Sequence, residues 1–298
     1  MQKIVECVPN FSEGRREEII KAIVDEIESI QGVEIWDSTL DKDHNRTVVT
    51  FVGTPEQVEE AAIRSALKAA ELIDMREHKG EHPRVGAAAV IPFVPLKGVS
   101  VGECVEIANR VAETLSKELS MPTYLYGEAA TRPEMKNLAT VQTVQYEGMF
   151  EKIKEKGYEP NFGPREMHPK FGASIVGARQ ILIAFNVNLG TDDISIARSI
   201  AREIRESNHG LKNVKAMGVR LKEKNIVQVS MDLVDYKKTP IYKPYELIKV
   251  EAKRYGVPVV GSELIGLVPT DALINAADYY LKLDRFNEEQ LIEKRLHG

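Results

Sequence analysis

The sequence predicts an α/β (α+β) fold: two successive split β-α-β units, each an antiparallel-rich sheet with helices on one face. Three observations carry that expectation. Short β-branched runs alternate with helical stripes. The order strand, helix, strand, strand, helix, strand occurs early in the chain and recurs after residue 179. Sharp capping signals open two of the helices.

In chain order, residues 3–8 form an apolar strand closed by Pro9-Asn10. Residues 15–30 carry helical spacing through Ile19, Ile20, Ile23, Ile27 and Ile30. Two β-branched strands follow at 33–36 and 47–52, separated by a polar segment, 37–46. Thr54-Pro55-Glu56-Gln57 is a capping box with proline at the first helical position, and its helix runs toward Asp74. A strand at 87–94 comes next. Ser100-Val101-Gly102-Glu103 then caps a helix that presents Cys104, Ala108, Val111, Leu115 and Leu119 on one stripe. Residues 123–126 form a further strand.

The pattern recurs with a strand at 180–187, a helix at 192–207, a hairpin of 215–221 and 226–233, a helix at 244–255 and a strand at 257–261. Two ferredoxin-like subdomains are therefore expected, with helices at 271–283 and 287–296 appended. Between the halves lies 129–179, rich in proline, glycine and charge, which reads as a long irregular connection and a site candidate.

The bulk numbers exclude some functions. A formal charge of −5 gives no general attraction to nucleic acid or anionic membranes, so an anionic ligand needs a local basic patch. No segment reaches the about 18 uninterrupted apolar residues of a membrane span. The first residues enter strand pattern directly, without a signal peptide's charged start, so the cytoplasm is the expected location. Cys7 and Cys104 fall on apolar faces and read as two buried thiols in a reducing compartment.

Several polar constellations could carry chemistry. In Lys79-Gly80-Glu81-His82-Pro83-Arg84-Val85-Gly86, histidine, carboxylate and cations share a connection between a helix and a strand. Pro83 biases His82 away from helical geometry, and such a loop can hold an imidazole toward a cleft. Asp41-Lys42-Asp43-His44-Asn45-Arg46 fits a metal loop, an anion clamp or a solvated hairpin connection, and spacing alone favours the last. His78 and His82 stand four apart, but Gly80 and Pro83 argue against the helix a zinc pair would use, so no metal is expected. The glycine clusters match neither a phosphate loop nor a dinucleotide fingerprint. No serine sits in a nucleophile elbow.

Taken together, these residues resemble a known family. Glu6-Cys7-Val8-Pro9-Asn10-Phe11-Ser12-Glu13-Gly14, His44-Asn45-Arg46-Thr47-Val48 and His78-Lys79-Gly80-Glu81-His82-Pro83-Arg84 are similar to glutamate formiminotransferases. So are Tyr124-Leu125-Tyr126-Gly127-Glu128-Ala129-Ala130, Gly172-Ala173 through Gly177-Ala178-Arg179, and 258–269. The resemblance spans essentially the whole chain in order.

It implies transfer of the formimino group from N-formimino-L-glutamate to N5 of tetrahydrofolate, the co-substrate, with release of glutamate. It also implies a homodimer of chains, each with N- and C-terminal formiminotransferase subdomains, here 1–178 and 179–298, flanking a folate groove. The catalytic histidine of the family falls on His82. Its folate-binding segment falls on Gly163, Pro164, Arg165, Glu166, Met167, His168, Pro169, Lys170, Phe171 and Gly172. Asn10, Asp41, His44, Asn45, Arg46, Arg84 and Glu128 are candidate substrate-binding residues, and Arg46, Arg84, Arg165 and Lys170 the natural counter-charges for substrate carboxylates. Animal members carry an added cyclodeaminase domain that this chain does not reach, so the next reaction step would fall to a separate cyclodeaminase. Two alternatives share the same groove: formyl transfer between 5-formyltetrahydrofolate and glutamate, and non-catalytic folate binding.

Overall fold

The computed structural model describes residues 3–42, 44–80, 83–221 and 224–297. It divides into two compact units, Met1–Gln180 and Ile181–Gly298.

The first unit opens with β1 (Ile4–Cys7) and β2 (Asn10–Phe11), followed by α1 (Glu17–Glu28), β3 (Glu34–Asp41), β4 (Arg46–Gly53), α2 (Pro55–Leu72) and β5 (Ala88–Lys97). It continues through α3 (Val101–Leu119), β6 (Thr123–Gly127), α4 (Leu138–Gln142), α5 (Gln145–Lys152) and β7 (Ser174–Ala178). Both β1 and β2 pair with β4 on one side and β5 on the other, so they are two halves of one line broken at Val8-Pro9. Across the sheet the order is β3, β4, β1/β2, β5, β7, β6. The first four positions are antiparallel, which is the split β-α-β arrangement. β7 then lies parallel to β5 and to β6.

Local chemistry accounts for the helices. Thr54 and Ser100 both close the predicted capping boxes, satisfying backbone donors at the starts of α2 and α3. α1 buries Ile19, Ile20, Ile23 and Ile27, while α2 offers Ala61, Ala62, Ala66 and Ala69. Small side chains on α2 allow close packing against both α1 and α3. Cys7 and Cys104 are free and fully buried. Burial pushes the Cys104 thiol up to about 12 and the Cys7 thiol well above its usual range, so neither is an activated nucleophile.

The second unit comprises β8 (Ile183–Leu189), α6 (Ile194–Ile204), β9 (Val214–Leu221), β10 (Ile226–Leu233), α7 (Tyr242–Arg254), β11 (Val259–Ile265), α8 (Thr270–Leu281) and α9 (Ile292–His297). Its sheet, β11-β8-β10-β9, is antiparallel throughout and repeats the split β-α-β order. Ile183, Phe185, Val187 and Leu189 of β8 join Ile200, Ile204, Val229 and Ile248 in its core.

Three expectations need correction. The strand expected at 33–36 continues to Asp41, because β3 is an edge strand whose pairing with β4 runs through the backbone and whose outer face can be polar. Nor is 129–179 an irregular connection between the units. It carries α4 and α5, and its end, β7, is a fully buried parallel strand between β5 and β6. Gly177 suits that place, since a Cβ there would lie 2.5 Å from the ring of Tyr126. At the end of the chain, the predicted helix at 287–296 is split into a short 3-10 turn, Glu288–Gln290, and α9.

Candidate active site

The polar residues singled out around positions 10, 45 and 84 meet at one small recess of the first unit. Its walls are β2 with Ser12, the tip of the β3–β4 hairpin, the loop after α2, and Gln142 at the end of α4.

The hairpin tip is held rigidly. Asn45 adopts a left-handed backbone (φ 48°), a conformation that asparagine tolerates better than most residues. Its side-chain oxygen accepts from Gly14 N (2.9 Å), and its amide donates to Lys79 O (3.0 Å). Its own carbonyl accepts from His78 Nε2 at 2.8 Å. Gly14 and Gly80 permit this crowding: a Cβ on Gly14 would lie 2.2 Å from Asp41 O, and one on Gly80 2.2 Å from His44 O.

Glu13 anchors the same corner from below. One carboxylate oxygen accepts from the backbone N–H groups of Gly14, Arg15 and Arg16, and the other accepts from Arg16 Nε at 2.6 Å. Burial opposes ionisation of Glu13, but the N–H groups of Arg16 and Arg15 and the Arg16 side chain outweigh it and hold the carboxyl below its ordinary value.

The loop wall centres on a buried arginine. Arg84 donates from both terminal nitrogens to Glu147 (2.8 and 2.6 Å), from one of them to Gln145 (3.1 Å), and from Nε to His78 Nδ1 (3.2 Å). A guanidinium only donates and a carbonyl only accepts, so His78 must carry its proton on Nε2 and its lone pair on Nδ1. The ring is therefore a neutral brace with both nitrogens used. Burial, reinforced by the Arg84 charge, lowers its pKa. Opposite, Arg46 donates to Asn10 Oδ1, and Ser12 Oγ donates to Gly86 O at 2.8 Å.

At the mouth stands His44. Its backbone N–H donates to Asp41 Oδ1 (2.9 Å), and its Nδ1 lies 2.6 Å from Asp41 Oδ2. Both side chains are about half exposed, at 49% and 46%.

Asn10, His44, Asn45, Arg46 and Arg84 are thus brought together, with Asp41 attached through His44. His82 lies outside the described residues. Pro83, which follows it, lines the recess, and Gly80 packs against the His44 carbonyl. Glu128 does not line this recess; it is exposed at the end of β6, 3.7 Å from Lys136.

The segment 163–172 does not form one continuous wall. Gly163 and Pro164 border a shallow hollow with Phe162, Ser116 and Lys117 at the end of α3. Arg165 was expected as a counter-charge, yet its guanidinium donates to the carbonyls of Ile153, Lys154 and Glu155. Lys170 likewise donates to Glu71 O (2.6 Å) in the last turn of α2, a favourable place for a cation. Glu166 and Pro169 are exposed, whereas Met167 is buried. His168 stacks on Phe171 (centroids 3.4 Å, planes 5° apart), and burial lowers its pKa. Gly172 turns the chain with φ 73° beside Gly86.

Ser12, Gln142 and Glu147 were not anticipated. The Ser12 signal was its adjacency to Asn10 on a strand end. Glu147 is far from Arg84 in sequence and had no local signature.

Comparison with known proteins agrees along the whole chain. The profile described as the formiminotransferase domain, N-terminal subdomain, matches residues 4–179, and the formiminotransferase domain profile matches residues 184–296. A glutamate formimidoyltransferase of Streptococcus pyogenes serotype M1 is 50% identical over 299 residues, covering 100% of both chains. One of Thermoplasma acidophilum is 49% identical over 295 residues, covering 98% of this chain and 97% of its own. A formimidoyltransferase-cyclodeaminase of Rattus norvegicus is 46% identical over 286 residues, which is 94% of this chain and 53% of the rat protein.

Proposed function

The chain belongs to the formiminotransferase family, and from that premise we propose that it is a glutamate formimidoyltransferase. It transfers the formimino group of N-formimino-L-glutamate to N5 of tetrahydrofolate, giving 5-formiminotetrahydrofolate and L-glutamate. The observation that carries this reading is the 50% identity to a glutamate formimidoyltransferase over the full length of both chains.

The chemistry asks for a proton carrier and a site for carboxylates. N5 attacks the formimino carbon and must lose a proton, while the departing glutamate nitrogen must gain one. An imidazole can do both near neutral pH, and we assign that role to His82. Arg46, on the recess wall beside Asn10, supplies positive charge for a substrate carboxylate in a chain that is net acidic. Arg84 is engaged by Glu147 and His78, which supports a positioning role rather than direct capture. For the folate, Phe162 with Gly163 and Pro164 offers an aromatic edge and open backbone for a flat ring. Holding the two reactants in contact supplies the remaining acceleration, of which pre-organisation alone can give about 7–11 kcal/mol.

The same reading extends to a homodimer in the cytoplasm. Free buried cysteines are in keeping with a reducing compartment, and Val260, Ile265, Leu267 and Leu281 of the second unit leave apolar surface for a second copy.

The decisive experiment measures turnover with N-formimino-L-glutamate and tetrahydrofolate, beside exchange with 5-formyltetrahydrofolate and glutamate. Formimino transfer is expected to dominate, and His82→Ala to lower it more than about 10²-fold with folate affinity little changed. Formyl exchange alone, or folate binding without turnover, would overturn the reading.

A further inference from the structure

We propose that Asn186 and Gln228, on the sheet of the second unit, bind the pyrimidinone edge of the tetrahydrofolate pterin, an inference that rests on the formimino-transfer reading. The observation behind it is a buried polar network that is only partly satisfied. β8 is an inner strand, flanked by β11 and β10. Its alternate residues Ile183, Phe185, Val187 and Leu189 fill the core, so Ala184, Asn186 and Asn188 point to the opposite face. Strand pairing puts Asn188 beside Gln228, and Asn186 between Glu263 and Ser230. Asn186 and Asn188 are each only 8% exposed, and Gln228 4%.

Part of this network is closed. Gln228 Nε2 donates to Asn188 Oδ1 (2.8 Å) and to Glu263 Oε2 (3.1 Å), and Lys224 Nζ donates to Glu263 Oε1 (3.0 Å). A carboxylate only accepts, so Glu263 fixes the Gln228 amide with Nε2 toward it and leaves Oε1 for another donor.

The rest is open. Among the described residues, nothing hydrogen-bonds to Gln228 Oε1 or to either end of the Asn186 amide, and none of these atoms is sealed from solvent. A buried amide without a partner is a cost to the fold, and a merely hydrated face is covered by long charged side chains rather than by amides this enclosed.

The open groups define what they can hold. Asn186 presents a donor and an acceptor side by side, and Gln228 a single acceptor. Both are neutral, and the lysine of the network is already held by Glu263, so the patch suits a neutral ligand better than a carboxylate. The pyrimidinone of the pterin is neutral and carries the complement. Its N3–H and C4 carbonyl form a cyclic lactam that pairs with the two ends of one carboxamide, and its 2-amino group can donate to Gln228 Oε1. N-formimino-L-glutamate, built around two carboxylates, has no such edge.

The experiment uses the full chain and its Asn186→Ala and Asn186→Asp variants. Calorimetry measures binding of a tetrahydropterin that lacks the aminobenzoyl-glutamate tail, and of p-aminobenzoyl-L-glutamate as the pterin-free half. Steady-state KM values and thermal unfolding accompany it. Both variants are expected to weaken the tail-less pterin roughly 10-fold and to raise the KM for tetrahydrofolate in parallel. The KM for N-formimino-L-glutamate and the affinity for p-aminobenzoyl-L-glutamate should change little. Asn186→Ala should unfold at the wild-type temperature or above it, because it removes a buried amide that has no partner. A role confined to the fold would lower that temperature and leave pterin binding alone, overturning the proposal. Equal pterin binding by wild type and variants, no binding by wild type, or a KM change confined to N-formimino-L-glutamate would overturn it as well. Should Asn186→Ala fail to fold, Asn186→Asp decides, since it keeps the size and one acceptor and removes only the donor. Formimino transfer with unchanged variants overturns the subsite alone; Asn186-dependent pterin binding in a wild-type chain that transfers no formimino group overturns the parent reading alone.

Discussion

Two walls of one recess treat a histidine in opposite ways. On the loop side, His78 is buried, neutral, and locked between the Asn45 carbonyl and the Arg84 guanidinium. On the hairpin side, His44 is half exposed, and its Nδ1 bonds to the Asp41 carboxylate. The difference lies in the partners, since the imidazoles are chemically identical. A ring between a donor and an acceptor has no proton to trade, whereas a ring held by a carboxylate at Nδ1 has its orientation set while its edge stays at the mouth. One wall therefore spends its histidine on holding the loop, and the other presents its histidine at the mouth.

The loop wall is most vulnerable at Glu147. Its side chain is 63% exposed, but the Arg84 it holds is only 8% exposed. Glu147→Ala leaves a buried cation without its carboxylate, and a loss of about 3 kcal/mol in denaturant unfolding is expected. A loss below about 0.5 kcal/mol would show that Gln145 and the His78 carbonyl suffice.

A smaller break comes at Gly80, where the walls touch. Gly80→Ala brings a methyl group onto the His44 carbonyl and forces loop and hairpin apart. Displacements of this size cost about 10²-fold in turnover when they misalign reacting groups. Wild-type kcat in a folded Gly80→Ala protein would mean that the two walls need not be in register.

The smallest effect sharpens the contrast through pH. Burial holds His78 below its ordinary 6.5, so the unfolded chain binds a proton that the folded chain resists. The stability tied to this ring is present above that pH and is lost as pH falls toward the lowered folded value. Replacing His78 with Gln is expected to flatten the decline in stability on the acid side of about pH 6.5. The acid limb of kcat/KM should not move, since His78 trades no proton. An unaltered stability slope would remove the neutral-brace account; His168, lowered by burial, and carboxyls held low, such as Glu13 and Glu147, contribute to the slope that remains.

Much of the fold could be read from residues alone, and for identifiable reasons. Thr54 with Gln57 and Ser100 with Glu103 are local signals, complete within one turn, and both formed as expected. The isoleucine stripe of α1 is a periodicity, also local. What escaped was settled by partners distant in sequence. The polar half of β3 has no apolar pattern because only its backbone is needed, by β4. Ser174–Ala178 is too short to declare itself a central strand, and only the open edges of β5 and β6 make it one. In the site, Arg46 could be nominated from its place just before a strand, and Asn10 and Asn45 from the family resemblance. The commitment of Arg165 and Lys170 to backbone carbonyls could not, since a cation does not announce whether it faces a ligand or a helix end. The role of His78 depended likewise on Glu147, Arg84 and the Asn45 carbonyl.

The place of β7 also bears on how the chain matures during synthesis. It is the final strand of its unit to leave the ribosome, yet it belongs between two strands made earlier. Until residue 178 emerges, β5 and β6 each present an open edge that they must not close on one another. Assembly of the first unit is thus gated by its own last segment, and such distant parallel pairing is slow and exposes aggregation-prone edges meanwhile. A nascent chain stalled short of that point would be a client for chaperones, whatever the quality of the helices already formed.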